Sequence, residues 1–178
     1  MRFFNRLWDL LAVVIVLAIA WKIFFAPRSL DNATAYPAPH AVYERLDGGA
    51  FHIMDARGRV LFLDFYASWC EPCRQELPAV EAYARAHPEV EVVPIDVGEP
   101  RVAAATFAAQ LNLRDVALDP QALSRGFFSI TGFPTIVTID PAGRVRATWS
   151  GYDPAIASAM FNAEKRLEEP AASRSIAR

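Results

Sequence analysis

Val60-Leu61-Phe62-Leu63-Asp64-Phe65-Tyr66-Ala67-Ser68-Trp69-Cys70-Glu71-Pro72-Cys73 is the stretch whose reading decides the fold. From Val60 to Tyr66 every residue but Asp64 is large and apolar, the pattern of a central strand buried on both faces. A short connection leads to Cys70. From Pro72 to His87 the pattern is helical, with Leu77, Val80, Tyr83 and Ala84 on one face. Pro78 predicts a kink in this helix, and Pro88 ends it. A Cys-x-x-Cys placed between a buried strand and a helix start has a specific chemical meaning. The first sulfur lies at the helix N-terminus, where unpaired backbone N–H groups and the positive dipole end favour a thiolate. That thiolate attacks a disulfide, and the second cysteine, one turn inside, resolves the mixed disulfide. Pro72 pre-sets a helical φ and gives up a donor that has no helical partner.

Working outward, Val90 to Ile95 reads as a second buried strand and Val102 to Leu113 as an alanine-rich helix. Val116 to Leu118 predicts a short edge strand, and Pro120 to Phe128 a short helix. Thr135 to Ile139 and Val145 to Trp149 form a hairpin around Asp140-Pro141-Ala142-Gly143. Asp153-Pro154 supplies an N-cap and an N1 proline for a last helix to about Leu167. Upstream, Gly48-Gly49 predicts a hairpin within 42–53, and Ala56-Arg57-Gly58-Arg59 a turn. The first two long strands are joined by a crossover helix and so run parallel, while the last two are antiparallel. The fold class expected is therefore α/β, a mixed central sheet with helices on both faces.

A net charge of −2 gives no reason to expect a nucleic-acid partner. Part of the 53% hydrophobic content sits in one N-terminal run. After the basic start Met1-Arg2-Phe3-Phe4-Asn5-Arg6, apolar residues run from Leu10 to Trp21 and resume after Lys22 as Ile23-Phe24-Phe25-Ala26. As a helix this run would reach roughly 25 Å, near the hydrocarbon thickness of a bilayer. It is expected to be a signal-anchor or transmembrane helix over residues 1–26. Cleavage at Ala18-Ile19-Ala20 is the alternative, and either reading exports the rest of the chain. Residues 27–41, with Pro27, Pro37 and Pro39, read as an extended linker. Residues 42–168 form the α/β domain, and 169–178 a disordered tail.

The chain has only two cysteines, too few for a disulfide scaffold. A zinc site would need about four ligands, and His40, His52 and His87 are scattered in sequence. A structural pair remains open, although cysteines this close cross-link nothing distant. Redox exchange is the favoured reading, with no metal and no cofactor beyond a Cys70–Cys73 disulfide. Asp64 interrupts a strand expected to be buried, where a carboxylate is costly without a partner. It is either a buried proton acceptor or an Asp bonded locally at an irregular strand. Glu71, beside Cys70, opposes thiolate formation by like charge and so favours a reductant.

The stretch from Val60 to Cys73 resembles the thioredoxin active-site segment. Gly132-Phe133-Pro134-Thr135 is similar to that family's cis-proline loop, and Asp140-Pro141-Ala142-Gly143-Arg144-Val145 to the hairpin after it. Ile95-Asp96-Val97-Gly98-Glu99 and the layout over residues 42–167 resemble the membrane-anchored TlpA/ResA branch of extracytoplasmic thiol–disulfide oxidoreductases. The resemblance implies a thioredoxin fold, with Cys70 as nucleophile and Cys73 as resolving thiol. It implies active-site carboxylates at Glu76 and Glu99, for which a solvated helix position and an exposed turn are the plain alternatives. It matches Asp64 to the buried aspartate of thioredoxin itself, a proton acceptor for Cys73, where the ResA-type branch tends to keep an uncharged residue. Pro134 is implied to be cis against the two sulfurs, with Phe133 and Trp69 facing substrate. Phe133 is bulkier than the residue common there, and an ordinary turn proline or a core tryptophan are the alternatives.

Together these readings give an expected extracytoplasmic, single-pass, membrane-anchored reductase of protein disulfides, with apocytochrome c among the substrates the branch implies. An exported domain has no cytosolic reductase, so its electrons would come from a membrane dithiol donor. The rival readings are a disulfide oxidase or isomerase, and a redox-inactive binding or metal-carrier module on the same scaffold.

Overall fold

The computed structural model describes residues 11–17 and 35–168. Residues 11–17 are helical and exposed. Among the described residues no helix is long and apolar enough to cross a membrane. Most of the anchor expected over 1–26, residues 27–34 of the linker and the tail 169–178 lie outside them.

Among the described residues one eight-stranded mixed sheet runs in the order β1 (Tyr36–Pro37), β8 (Arg144–Ser150), β7 (Thr135–Ile139), β4 (Leu61–Tyr66), β5 (Glu91–Val97), β6 (Ala117–Asp119), β2 (Val42–Arg45) and β3 (Ala50–His52). At its centre is β4 (Leu61–Tyr66), parallel to β5 (Glu91–Val97) and antiparallel to β7 (Thr135–Ile139). Every residue of β4 is buried, and alternation divides it between two cores. Leu61, Leu63 and Phe65 join Val93, Ile95 and Val137 on one face. Phe128 of α3 (Ser124–Phe128), Ile53 and Ala56 of a 3-10 turn (Ile53–Ala56), and Tyr43 and Phe51 from the hairpin of β2 (Val42–Arg45) and β3 (Ala50–His52) complete that core. On the other face Phe62 packs under α1 (Glu71–Ala86) and α4 (Ile156–Glu168), while Tyr66 packs with α2 (Arg101–Leu111). The crossover from β4 through α1 to β5 and the closing hairpin of β7 with β8 (Arg144–Ser150) follow the expected order.

Three features differ from the sequence reading. The strand β6 (Ala117–Asp119) was expected at an edge but lies inside the sheet, because β2 pairs with it at Glu44↔Leu118 and Arg45↔Ala117. Arg101 secures that join, bonding Glu44 and the Leu46 carbonyl. The second difference is in the expected linker, whose end is part of the sheet. Within it β1 (Tyr36–Pro37) pairs with β8, and Ala38 and Ala41 are buried. Third, α3 begins at Ser124 rather than near Pro120, since Asp119 caps it through the Leu123 and Ser124 amides. Pro78 lies inside α1, and the helix continues past it to Ala86. The expected Gly48-Gly49 turn is present, and both glycines take positive φ. Pro94 sits in β5 one residue before the β5–β6 ladder begins at Ile95, so its missing N–H falls where only β4 is a partner.

Phe62 carries the packing of α1 and α4 onto the sheet. It is fully buried, edge-on to Tyr83 at 6.0 Å and stacked with Trp149 at 6.3 Å. Phe62→Ala is expected to destabilise the fold by about 3–5 kcal/mol, read from urea melts.

Candidate active site

At the C-terminal end of β4 the chain turns through Ala67, Ser68 and Trp69 to Cys70, the N-cap of α1. Cys70 and Cys73 form a disulfide with their Cα atoms 5.3 Å apart. The Cys73 amide donates to Cys70 Sγ at 3.2 Å, so the first sulfur takes a free N–H of the helix start. This is the contact that would stabilise a Cys70 thiolate. Cys73 is fully buried against Leu77, Tyr66 and Phe107, leaving Cys70 as the sulfur nearer the surface.

The Phe133–Pro134 peptide is cis, and Pro134 is buried at the start of β7. Phe133 packs against the cluster that holds the two cysteines. Its ring lies 5.9 Å from that of Trp69 and 4.8 Å from the Arg125 guanidinium. Trp69 is 69% exposed, so it is a surface aromatic beside the disulfide and not a core plug. The two rings make an apolar lip next to Cys70.

Carboxyl groups sit on the elements that lead into and carry the redox pair. Asp64 is 0% exposed, and burial first, then the charge of Glu76, pushes its carboxyl well above the usual carboxylate range. Alternation along β4 puts it with Phe62 and Tyr66 on the face beneath α1. Glu76 is 2% exposed and accepts the Asp153 amide at 2.9 Å, so it is no solvated helix residue. That contact ties α1 to the loop ahead of α4. Glu99 accepts from both the Ser68 amide and Ser68 Oγ, the latter at 2.6 Å, and so braces the segment leading into Trp69-Cys70. Glu71 and Pro72 are exposed. Arg74, one turn on, lies 3.8 Å from Glu71 and offsets part of its charge.

One member of this cluster was not singled out in the sequence. Asp96 is 1% exposed on β5, directly across from Tyr66, whose ring is fully buried. The signal was available as an acid set into the apolar run Val92-Val93-Pro94-Ile95-Asp96-Val97. Of the histidines, His87 meets Glu89 and Glu164 within 4.8 Å at the far end of α1. Glu164 there already takes Tyr83 and Lys165.

The family model for the AhpC/TSA family matches residues 34–148. The chain belongs to that thioredoxin-like family. It is 30% identical over 149 residues to the thiol-disulfide oxidoreductase ResA of Bacillus cereus, covering 79% of this chain and 86% of that protein. To ResA of Bacillus subtilis it is also 30% identical over 149 residues, with 81% and 82% covered. Among solved structures it is similar to a Chlorobium tepidum protein assigned as a thiol:disulfide interchange protein DsbE. That match has a TM-score of 0.68 and 31% identity, over 75% of this chain and 95% of that one. With the Cys70–Cys73 pair in place, this AhpC/TSA member is a thiol–disulfide oxidoreductase.

The sign of the Asp64 effect on stability is fixed by its raised carboxyl. Between the ordinary value of 3.8 and the raised folded-state value the unfolded chain ionises this group while the folded chain keeps it protonated, and above the raised value both are ionised. Stability from this group is thus full below the ordinary value and falls as pH rises towards the folded-state value. Asp64→Asn should remove the slope. Its stabilisation over the parent is expected to be least in acid and to grow with pH, measured by urea melts across pH.

Proposed function

We propose that the chain is a membrane-tethered reductase of protein disulfides working outside the cytoplasm. The observation that carries this is the set of carboxyl groups around the disulfide: Asp64 and Glu76 behind it, Glu71 beside it and Glu99 against the segment leading into it. Negative charge raises the free energy of a Cys70 thiolate more than that of the disulfide. A destabilised thiolate makes the dithiol the better electron donor. Of the nearby cations, Arg74 is shared between Glu71, Gln110 and the face of Phe107, and Arg125 lies over the ring of Phe133, which limits what either can offer the sulfur.

In this reading the Cys70 thiolate attacks a substrate disulfide and one substrate thiolate leaves. Cys73 then attacks Cys70 Sγ, passing its proton to Asp64, and the second substrate thiolate departs. Glu76 fixes α1 against the loop before α4 and adds charge behind the pair. Trp69, Phe133 and the backbone at Pro134 form the surface for an extended substrate segment. Apocytochrome c, whose haem-attachment site is itself a Cys-x-x-Cys-His, is the substrate class implied by the ResA-type likeness. The N-terminal apolar run holds the domain at the membrane, where a dithiol donor would re-reduce it.

Equilibration with glutathione should give a potential nearer −270 mV than −120 mV, on the order of thioredoxin's. A value above about −180 mV would instead assign an oxidase or isomerase. In cells, Cys73→Ala should accumulate mixed disulfides through Cys70 with extracytoplasmic Cys-x-x-Cys proteins, identified after non-reducing separation. Capture of cytosolic proteins alone would reject the proposed location.

A further inference from the structure

Asp64 is sealed from solvent, yet a base that accepts one proton per turnover must also release it. The groups able to carry that proton lie on the same face of the sheet. Tyr66 is two residues beyond Asp64 on β4, and the parallel register pairs it with Asp96 on β5. Their neighbours Phe65 and Ile95 point into the opposite core, so Asp64, Tyr66 and Asp96 share the α1 face. All three are at most 1% exposed. The Tyr66 hydroxyl and both carboxyl oxygens of Asp64 and of Asp96 are buried and take no hydrogen bond from an N–H or hydroxyl of the fold. Such a run of buried oxygens is costly unless protons or water link them.

The path has an outlet. Asp96 and Glu99 are close enough for a carboxyl–carboxyl hydrogen bond, which requires one proton between them. Glu99 is half-buried and holds Ser68. Ser68, Pro100 and Phe107 line an open groove of about 490 Å³ between α1 and α2, with Arg74 and Gln110 on its walls. Phe107 also stacks on the Tyr66 ring at 5.5 Å, holding the phenol in place.

We propose that Tyr66 and Asp96 form a proton relay, in which the Tyr66 hydroxyl passes the proton from Asp64 to the Asp96–Glu99 pair and the pair releases it into the groove between α1 and α2. The relay rests on Asp64 being the base for Cys73. When Cys73 attacks, its S–S bond to Cys70 forms and the bond from Cys70 to substrate breaks. The electron pair leaves with the substrate sulfur, which takes a proton from solvent. The Cys73 proton goes to Asp64. Asp64 gives it to the Tyr66 oxygen and the Tyr66 hydroxyl gives its own to Asp96, each across a bridging water, because the three groups do not bond one another directly. The phenol never ionises, because burial first and then the charges of Asp96, Asp64 and Glu99 hold it protonated. Burial, then Glu99, pushes the Asp96 carboxyl up to about 7, so Asp96 loads and empties near neutral pH. The charged groups facing the path are Glu76 and Arg74 from α1 and Glu99 from the loop. The groove wall from α2 contributes Thr106 and Gln110, neither of which titrates.

The test is single-turnover reduction of a model disulfide by the full chain, followed by stopped flow across neutral pH. Asp64→Asn, Tyr66→Phe and Asp96→Asn are compared with the parent. Asp64→Asn should slow resolution by on the order of a hundredfold, and the two relay variants by about tenfold. Asp96→Asn should also lose the rate inflection near pH 7, and raising the concentration of imidazole buffer should recover its rate through the open groove. A purely structural role would move neither the inflection nor the buffer dependence. Urea melts check that the isosteric Tyr66→Phe keeps the fold, and Asp96→Asn is the second, independent variant. A slow Asp64→Asn beside relay variants with parental rates and pH profiles would overturn the relay and leave the Asp64 reading standing. A parental rate in Asp64→Asn would remove the Asp64 reading, and the relay with it.

Discussion

The site depends on β4 being buried on both faces. A strand in that position can end only where the sheet ends, so the turn after Tyr66 emerges at the sheet's C-terminal edge and α1 starts there. Cys70 is thus delivered to a helix N-terminus by the geometry of a core strand. Its partner thiol, one turn on, is pushed into the interior by the same helix. The asymmetry between a first sulfur nearer the surface and a second that is fully buried comes from where the strand stops.

The same burial gives the acids their properties. In water Asp64, Glu76 and Asp96 would be ordinary carboxylates. Beneath α1 Asp64 and Asp96 are short of solvation, and a neighbouring carboxyl raises the cost of charging each, Glu76 for Asp64 and Glu99 for Asp96. Glu76 instead accepts the Asp153 amide, and Glu99 accepts from Ser68. The carboxyls therefore differ in what they can do: Glu76 and Glu99 hold backbone, while Asp64 and Asp96 are left to titrate.

Much of this was readable from residue order. Leu61, Phe62, Leu63 and Phe65 announce a doubly buried strand, and the Cys-x-x-Cys after it announces a helix start. Asp64 was conspicuous because it interrupts an apolar run. Local patterns carry no information about which distant edge a strand joins. The docking of β2 on β6, which turns an expected edge into an interior strand, is set by the contacts of Arg101 with Glu44 and Leu46. Asp96 was overlooked because it falls at the end of a strand, where an acid ordinarily meets water. Only the register with Tyr66 shows that it is covered. Glu76 and Glu99 came from family likeness alone, and what each grips, a loop amide or a serine, depends on tertiary placement.

The sheet ends in two very short strands. On one side β1 offers two residues, one of them Pro37, which has no N–H to donate; on the other β3 offers three. An exposed strand edge is a template for a neighbouring extended chain. Here both templates are blunted, one by length and one by length together with an imino acid. With both edges blunted, the fold is protected from growing into a continuous sheet with neighbouring extended chains or with its own copies.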